Sequence, residues 1–250
     1  MERLCCSPKC TAPSTGACSG CHTASYCSKE HQRASWKAHK MLCPLIGQSV
    51  PSLGWLGSST FLGTAAELAT HRLYGGKALE ATCVTPRPGW RQLSLRASLE
   101  AHSPPEAPEH YFSLCSTEDF AQVLAAFPDP TILIPRPCVL LCLEYCLWAP
   151  PRFLLHAPPG AAGFTAADLI AAASRSYQWC YQMEAAAVGP PPRMRGMLNR
   201  GQTSGPFCIA MHDLEDLVLH TLSISGQCPE EGTLPENNTV SVRVSLGIDS

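Results

Sequence analysis

Charge is scarce in this chain: Asp, Glu, Lys and Arg together make up only 15% of its 250 residues. Hydrophobic residues make up 45%, enough to bury a sizeable core, so wholesale disorder is excluded. Lysine is scarcer still, with Lys77 the single one beyond residue 40. Long apolar runs are missing as well. The best, Thr131 to Trp148, is interrupted by Pro135, Arg136, Pro137 and Glu144 and falls short of the ~20 clean residues that a membrane-spanning helix needs. No apolar stretch follows Met1, and Cys5, Cys6 and Cys10 stand where a secretory leader would carry its greasy centre. The expectation is an intracellular protein of nucleus or cytoplasm without a membrane span. In such a protein Asn237-Asn238-Thr239 carries no sugar.

Cysteine is abundant. Seven of the 15 fall within the first 43 residues, closely spaced and accompanied by His. Thiols so clustered in a reducing compartment read as metal ligands, not as disulfides. The other eight, from Cys83 to Cys228, are scattered among apolar residues and read as buried thiols.

Four pairs can be drawn: Cys6-x3-Cys10, Cys18-x2-Cys21, Cys27-x3-His31 and His39-x3-Cys43. Eight donors suit two tetrahedral zinc ions, with Cys5 an alternative to Cys6 as the first. The first two pairs are short turns that bring two sulfurs onto one ion, and Gly20 eases the tighter of them. The last two have the i, i+4 spacing that places both side chains on one helix face. Ser28 to Lys40 reads as that helix, with Ser28 as N-cap and no Gly or Pro inside. The helical pairs start twelve residues apart, or ~18 Å along a straight helix, so they cannot share an ion. Each joins a turn pair, and spacing alone leaves open whether the two sites are interleaved or nested.

Together with Tyr26, Gln32 and Trp36, these pairs resemble a MYND zinc finger over residues 6–43. The resemblance implies interleaved pairing in a small two-zinc cross-brace: Cys6, Cys10, Cys27 and His31 at one site, Cys18, Cys21, His39 and Cys43 at the other. Two departures stand out. His31 occupies a position where the family usually has Cys, which a structural zinc accepts, and the first turn is one residue longer than its usual form. Tyr26 and Trp36 are expected to form the finger's small core, which depends on metal to hold together.

Residues 1–43 carry six Lys and Arg against two Glu, leaving −6 on the rest of a chain whose net charge is −2. Three thiolates around each Zn²⁺ leave about −1 per site, which offsets part of the basic excess and argues against nucleic acid as a partner.

Residues 44–63, rich in Gly, Ser and Leu, read as a linker, and residues 64–250 as a mixed α+β domain of no recognised family. Alternation predicts strands at Trp90 to Leu99 and Thr239 to Leu246, and a further one at Arg152 to His156. Helices are predicted over Thr117 to Phe127 and Ala166 to Ala187, the latter with a Thr165/Asp168 capping box, and Asp213 to Leu222 shows a helix-like apolar face. Leu198 to Pro206 lacks the Gly-Lys-Ser ending of a phosphate loop and reads as a surface loop. Cys138, Cys142 and Cys146 read as core thiols, and the acids beside His212 as a solvated helix start, not a catalytic grouping.

With all eight positions filled by protein, the zincs are expected to be structural and the protein a binding module, not an enzyme. The resemblance implies a protein-interaction surface that accepts short proline-containing peptides. It also raises an alternative, since some proteins with such fingers are lysine methyltransferases. The Asn-His-x-Cys segment and Gly-rich cofactor loop of that enzyme are not found here.

Overall fold

A short hairpin opens the chain, β1 (Gly16–Ala17) pairing antiparallel with β2 (Ser25–Tyr26), and α1 (Lys29–Leu42) follows at once. In the computed structural model the described residues are 5–7, 10–52, 54–64, 90–98, 112–114, 120–196, 199–229 and 242–249. The predicted cap is in place: Ser28 is extended, and its hydroxyl accepts from the His31 amide at 3.3 Å. Glu30 sits in the first turn and His39 and Lys40 in the last, each placed favourably for the helix dipole.

The segment expected as a linker is instead part of the larger core. β3 (Ser49–Val50) and β4 (Ser58–Thr64) pair antiparallel, and Val50, Trp55 and Phe61 are buried. The Trp55 indole donates to Asp168 Oδ1 at 2.8 Å. Glycine here serves close packing, not looseness. A Cβ at Gly57 would lie 2.3 Å from the Trp55 ring and 2.7 Å from the His156 carbonyl oxygen.

An eight-stranded sheet runs in the order β3-β4-β8-β7-β10-β9-β5, with β6 (Phe112–Ser113) also paired to β9. Its other members are β5 (Trp90–Ser98), β7 (Cys138–Cys142), β8 (Pro151–His156), β9 (Val218–Pro229) and β10 (Val242–Asp249). β10 and β7 run parallel, and the other pairings are antiparallel. α2 (Phe120–Ala126) and α3 (Ala166–Val188) complete the α+β fold. Thr165 and Asp168 form the predicted capping box. Residues 117–119, 99 and 239–241 of the predicted elements lie outside the described residues.

α3 is buried from Ala167 to Tyr181 except at Arg175, because small Ala and Ser side chains let it settle closely into the fold. Its Trp179 joins Phe61, Phe153 and Phe207 in an aromatic cluster with ring centroids 5.2–5.9 Å apart. Alternation along β4 sends Phe61 into this core and Leu62 into a separate small cluster with Leu140 and Cys142.

Two further expectations give way to the structure. Asp213 to Leu222 is not a helix: a 3-10 turn at Leu214–Asp216 leads into the twelve-residue β9, which pairs with both β5 and β10. Pairing on both sides outweighs a helical apolar period that spans little more than two turns. Cys142 on the strand and Cys146 in the turn beyond it, at φ 61°, are buried as expected of core thiols, while Cys138 on the same strand is half-buried. The stretch read as a surface loop is largely buried instead, since Arg200, Gly201, Thr203, Gly205 and Pro206 are all enclosed. None of the helices among the described residues is long and apolar enough to cross a membrane.

Candidate metal centre

Hairpin and helix together bring the donors into two groups. Cys5, Cys10, Cys27 and His31 form one, and Cys18, Cys21, His39 and Cys43 the other, with the donor atoms of each group within 4.8 Å of one another. The grouping is interleaved: each helical pair on α1 meets a turn pair that lies elsewhere in the sequence.

In the first group, His31 Nδ1 lies 3.1 Å from Cys27 Sγ and 3.5 Å from Cys5 Sγ, and Cys10 Sγ lies 3.8 Å from Cys27 Sγ. In the second, His39 Nε2 is 3.6 Å from Cys21 Sγ, and Cys18 and Cys43 are 3.7 Å apart between sulfurs. A tetrahedral zinc with sulfur at ~2.3 Å and nitrogen at ~2.0–2.1 Å places neighbouring donors about 3.8 Å apart for two sulfurs and about 3.6 Å for sulfur and nitrogen. Most separations match those edges, the 3.1 Å contact being the short one. Both groups are of the Cys3His type, and they fit two structural zinc ions.

Cys6 does not join its expected group; Cys5 takes the place. The two are adjacent in an extended stretch, where successive side chains point to opposite sides. Cys6 is engaged by the hairpin: its amide donates to the Ser25 carbonyl at 2.7 Å, and the Ser25 amide donates to its sulfur at 3.4 Å. The Cys5 sulfur accepts from the Ser7 amide at 3.4 Å and faces His31. The doublet signalled the ambiguity, but choosing between its members required knowing which one the hairpin takes.

The second turn is tightly built. His22, at φ 54°, donates its amide to the Cys18 carbonyl at 2.8 Å, and the Ala24 amide donates to Cys21 Sγ at 3.4 Å. A Cβ on Gly20 would lie 2.8 Å from Cys43 Sγ, so this position needs glycine because a ligand sulfur passes its backbone.

By themselves the thiols share charge unevenly. Burial raises Cys5, but amides of Cys27 and Ser7 and the His31 ring hold it lower, at about 7, while burial and the neighbouring Cys5 and Cys10 push Cys27 up to about 11. Cys18 behaves like Cys5, brought down to about 6 against burial by amides of Cys21 and Gly20 and by His39. Cys43 is pushed up to about 12 by burial and by Cys18 and Cys21. Negative charges packed this closely call for a cation, and a divalent ion lets every thiol ionise.

Tyr26 is buried as expected, edge-on to His39 at 6.2 Å. Trp36 is not. It is 46% exposed and rests against the outer side of His39, with ring centroids 5.9 Å apart.

The MYND finger family model matches residues 5–43. Residues 5–43 are a MYND finger. The match begins at Cys5, the residue that the fold turns toward His31. A hypoxia-inducible factor prolyl hydroxylase from Caenorhabditis elegans is similar in this region, 45% identical over 49 residues, which are 19% of this chain and 7% of that protein. The chain therefore spans a small fraction of that relative's length. No solved structure matches the chain. MYND fingers are zinc-binding modules that commonly mediate protein interactions.

Outside the MYND finger, the grouping around His212 is built for structure. The His212 ring is buried and stacked on Tyr145, 6.1 Å between centroids at 17°. Asp213 accepts from Arg200 Nη1 at 2.8 Å, and Asp216 from Asn199 Nδ2 at 2.7 Å. Both acids are thus tied to residues 199–200. Sequence spacing alone gave no hint of these partners.

Proposed function

We propose that the MYND finger is a docking module for proline-containing peptide segments of a partner protein, with Cys5, Cys10, Cys27 and His31 holding one structural zinc and Cys18, Cys21, His39 and Cys43 the other. The observation that carries this reading is that each donor group already offers four protein ligands. A zinc enclosed in this way keeps no position for water or substrate, so it supplies shape and no Lewis-acid chemistry. Extended proline-containing segments suit a small rigid surface because their conformation is restricted before binding.

An enzymatic role would have to come from the rest of the chain. The hydroxylase relative lends its name to a protein of which only a small part aligns here, so hydroxylation is not carried over. The methyltransferase alternative lacks its motif residues in residues 44–250. Titrating the zinc-loaded chain with proline-containing peptides tests the docking reading, which expects saturable binding lost on chelation. Calorimetry with a methyl donor tests the rival, and a clear binding heat would displace the docking reading.

A further inference from the structure

α1 presents Lys29, Arg33, Lys37 and Lys40 to solvent, all four exposed. At about 100° per residue, 3.6 residues to the turn, these positions and Trp36 fall within an arc of about 100° around the helix. His31 and His39, which face the metals, lie outside that arc. Glu30 is the only acid on the helix, and among the described residues none of the four cations is in a salt bridge. Arg33 acts on Glu30 from a distance, helping to hold its carboxyl below the usual range after the Glu30 amide and the Ser28 hydroxyl.

We infer that this face of α1 docks an acidic, proline-containing protein segment. The inference rests on the peptide-docking role proposed above and adds the partner's charge. Trp36, nearly half exposed at the edge of the cationic stripe, offers a flat apolar surface for a proline ring. Its indole rests on His39, a residue of the second donor group, so the platform is oriented by the metal site behind it. From Lys29 to Lys40 the stripe is about 17 Å long, which five or six residues of an extended proline-rich segment cover at ~3.1 Å each.

Charge complementarity favours a peptide over a nucleic acid. Residues 1–43 carry a formal +4, but the remainder carries −6. A short acidic segment is matched by the four cations of the stripe, whereas a polyanion long enough to bind by counterion release outruns the stripe and meets a chain whose net charge is −2.

The test uses the full zinc-loaded chain and fluorescence anisotropy with labelled probes. One is a short peptide alternating Pro and Glu, a second has Gln in place of Glu, and a third is a DNA duplex. The Glu peptide is expected to bind about tenfold more tightly than the Gln peptide, with the gap closing at high salt. Reversing two charges, with Arg33→Glu and Lys37→Glu together, is expected to abolish the gap while leaving the zinc content unchanged. Equal binding of the Glu and Gln peptides would overturn the charge inference and leave peptide docking standing. Binding of neither would remove both, and tighter binding of the duplex at the same salt would overturn the inference in favour of nucleic acid.

Discussion

Leu42 and Cys43 are neighbours in the chain that belong to two different cores. Leu42 is buried with Val50, Trp55 and Phe61 in the core of the α+β domain, while the sulfur of Cys43 lies 3.7 Å from that of Cys18 in the second donor group. Leu45 and Ile46 pack against the same core, and the Gly47 amide donates to the Phe61 carbonyl at 2.8 Å. The last turn of α1 is therefore held from one side by metal and from the other by hydrophobic burial.

Chelation should be felt in both cores. Removing zinc frees the finger and the end of α1, and the large core then loses the support under Leu42. The expected outcome is loss of finger structure by NMR together with a drop of several degrees in the main melting transition, since ~1 kcal/mol moves a fold of this size by about 2–4 °C. Leu42→Ala should cost about 2–5 kcal/mol in the main transition and leave two zincs bound. A main transition unmoved by chelation would show that the two cores are energetically independent.

The first donor group makes a sharper distinction between adjacent residues. Cys5→Ser should lower the zinc content from two ions toward one, and cobalt substituted at the surviving site should show one tetrahedral thiolate spectrum, not two. Cys6→Ser should keep both ions, because its sulfur accepts from the Ser25 amide and stands outside both donor groups. The same residue loss with the opposite pattern would restore Cys6 as the ligand.

What could be read from the sequence followed the range of the interactions. Ser28, the i, i+4 ligand pairs and the Thr165/Asp168 box are governed by neighbours within four residues, and the structure has them in place. The interleaving of the two donor groups came from family resemblance, since spacing alone also allowed nesting. What eluded reading depended on distant partners. Gly57 is small because of Trp55 and the His156 carbonyl, and Val218 to Leu222 is a strand because β10 pairs it on one side and β6 and β5 on the other. Cys6 was preferred to Cys5 only on pair spacing, and the hairpin partner Ser25, nineteen residues away, decides otherwise.

Cys146 should be an unreactive thiol of the α+β domain. Burial pushes it up to about 12, against a smaller lowering influence of the His212 backbone and Arg200. The folded state therefore keeps its proton where the unfolded chain has lost it. Stability from this group is fully present below the unfolded value near 8.5–9 and declines as pH rises toward about 12. Alkylation followed by mass spectrometry should find Cys146 unmodified at neutral pH in the native protein and labelled after denaturation. Rapid labelling of native Cys146 near neutrality would show that the site opens more readily than its burial implies.

Glu184 gives the last prediction, because its carboxyl group organises the loop from Arg200 to Phe207. It is fully buried, and it accepts from the Gly205 amide at 2.9 Å, the Phe207 amide at 2.8 Å and the Thr203 hydroxyl. The loop's donors are thus taken up by a carboxyl group of the protein's own. Gly205 must come close to it, since a Cβ there would lie 2.5 Å from the carboxyl carbon. Gly205→Ala should destabilise by about 2–4 kcal/mol through that overlap. Glu184→Ala should cost at least as much, since the buried Gly205 and Phe207 amides left without an acceptor carry a penalty of ~1–3 kcal/mol each, while the Thr203 hydroxyl keeps the Ile209 carbonyl. Glu184→Gln should fall between wild type and Ala, because its amide keeps one acceptor oxygen but turns an NH2 toward a donor. Urea midpoints at unchanged slope are the measurement, and a Gly205→Ala midpoint equal to wild type would mean that the loop yields without cost and that Glu184 does not hold it.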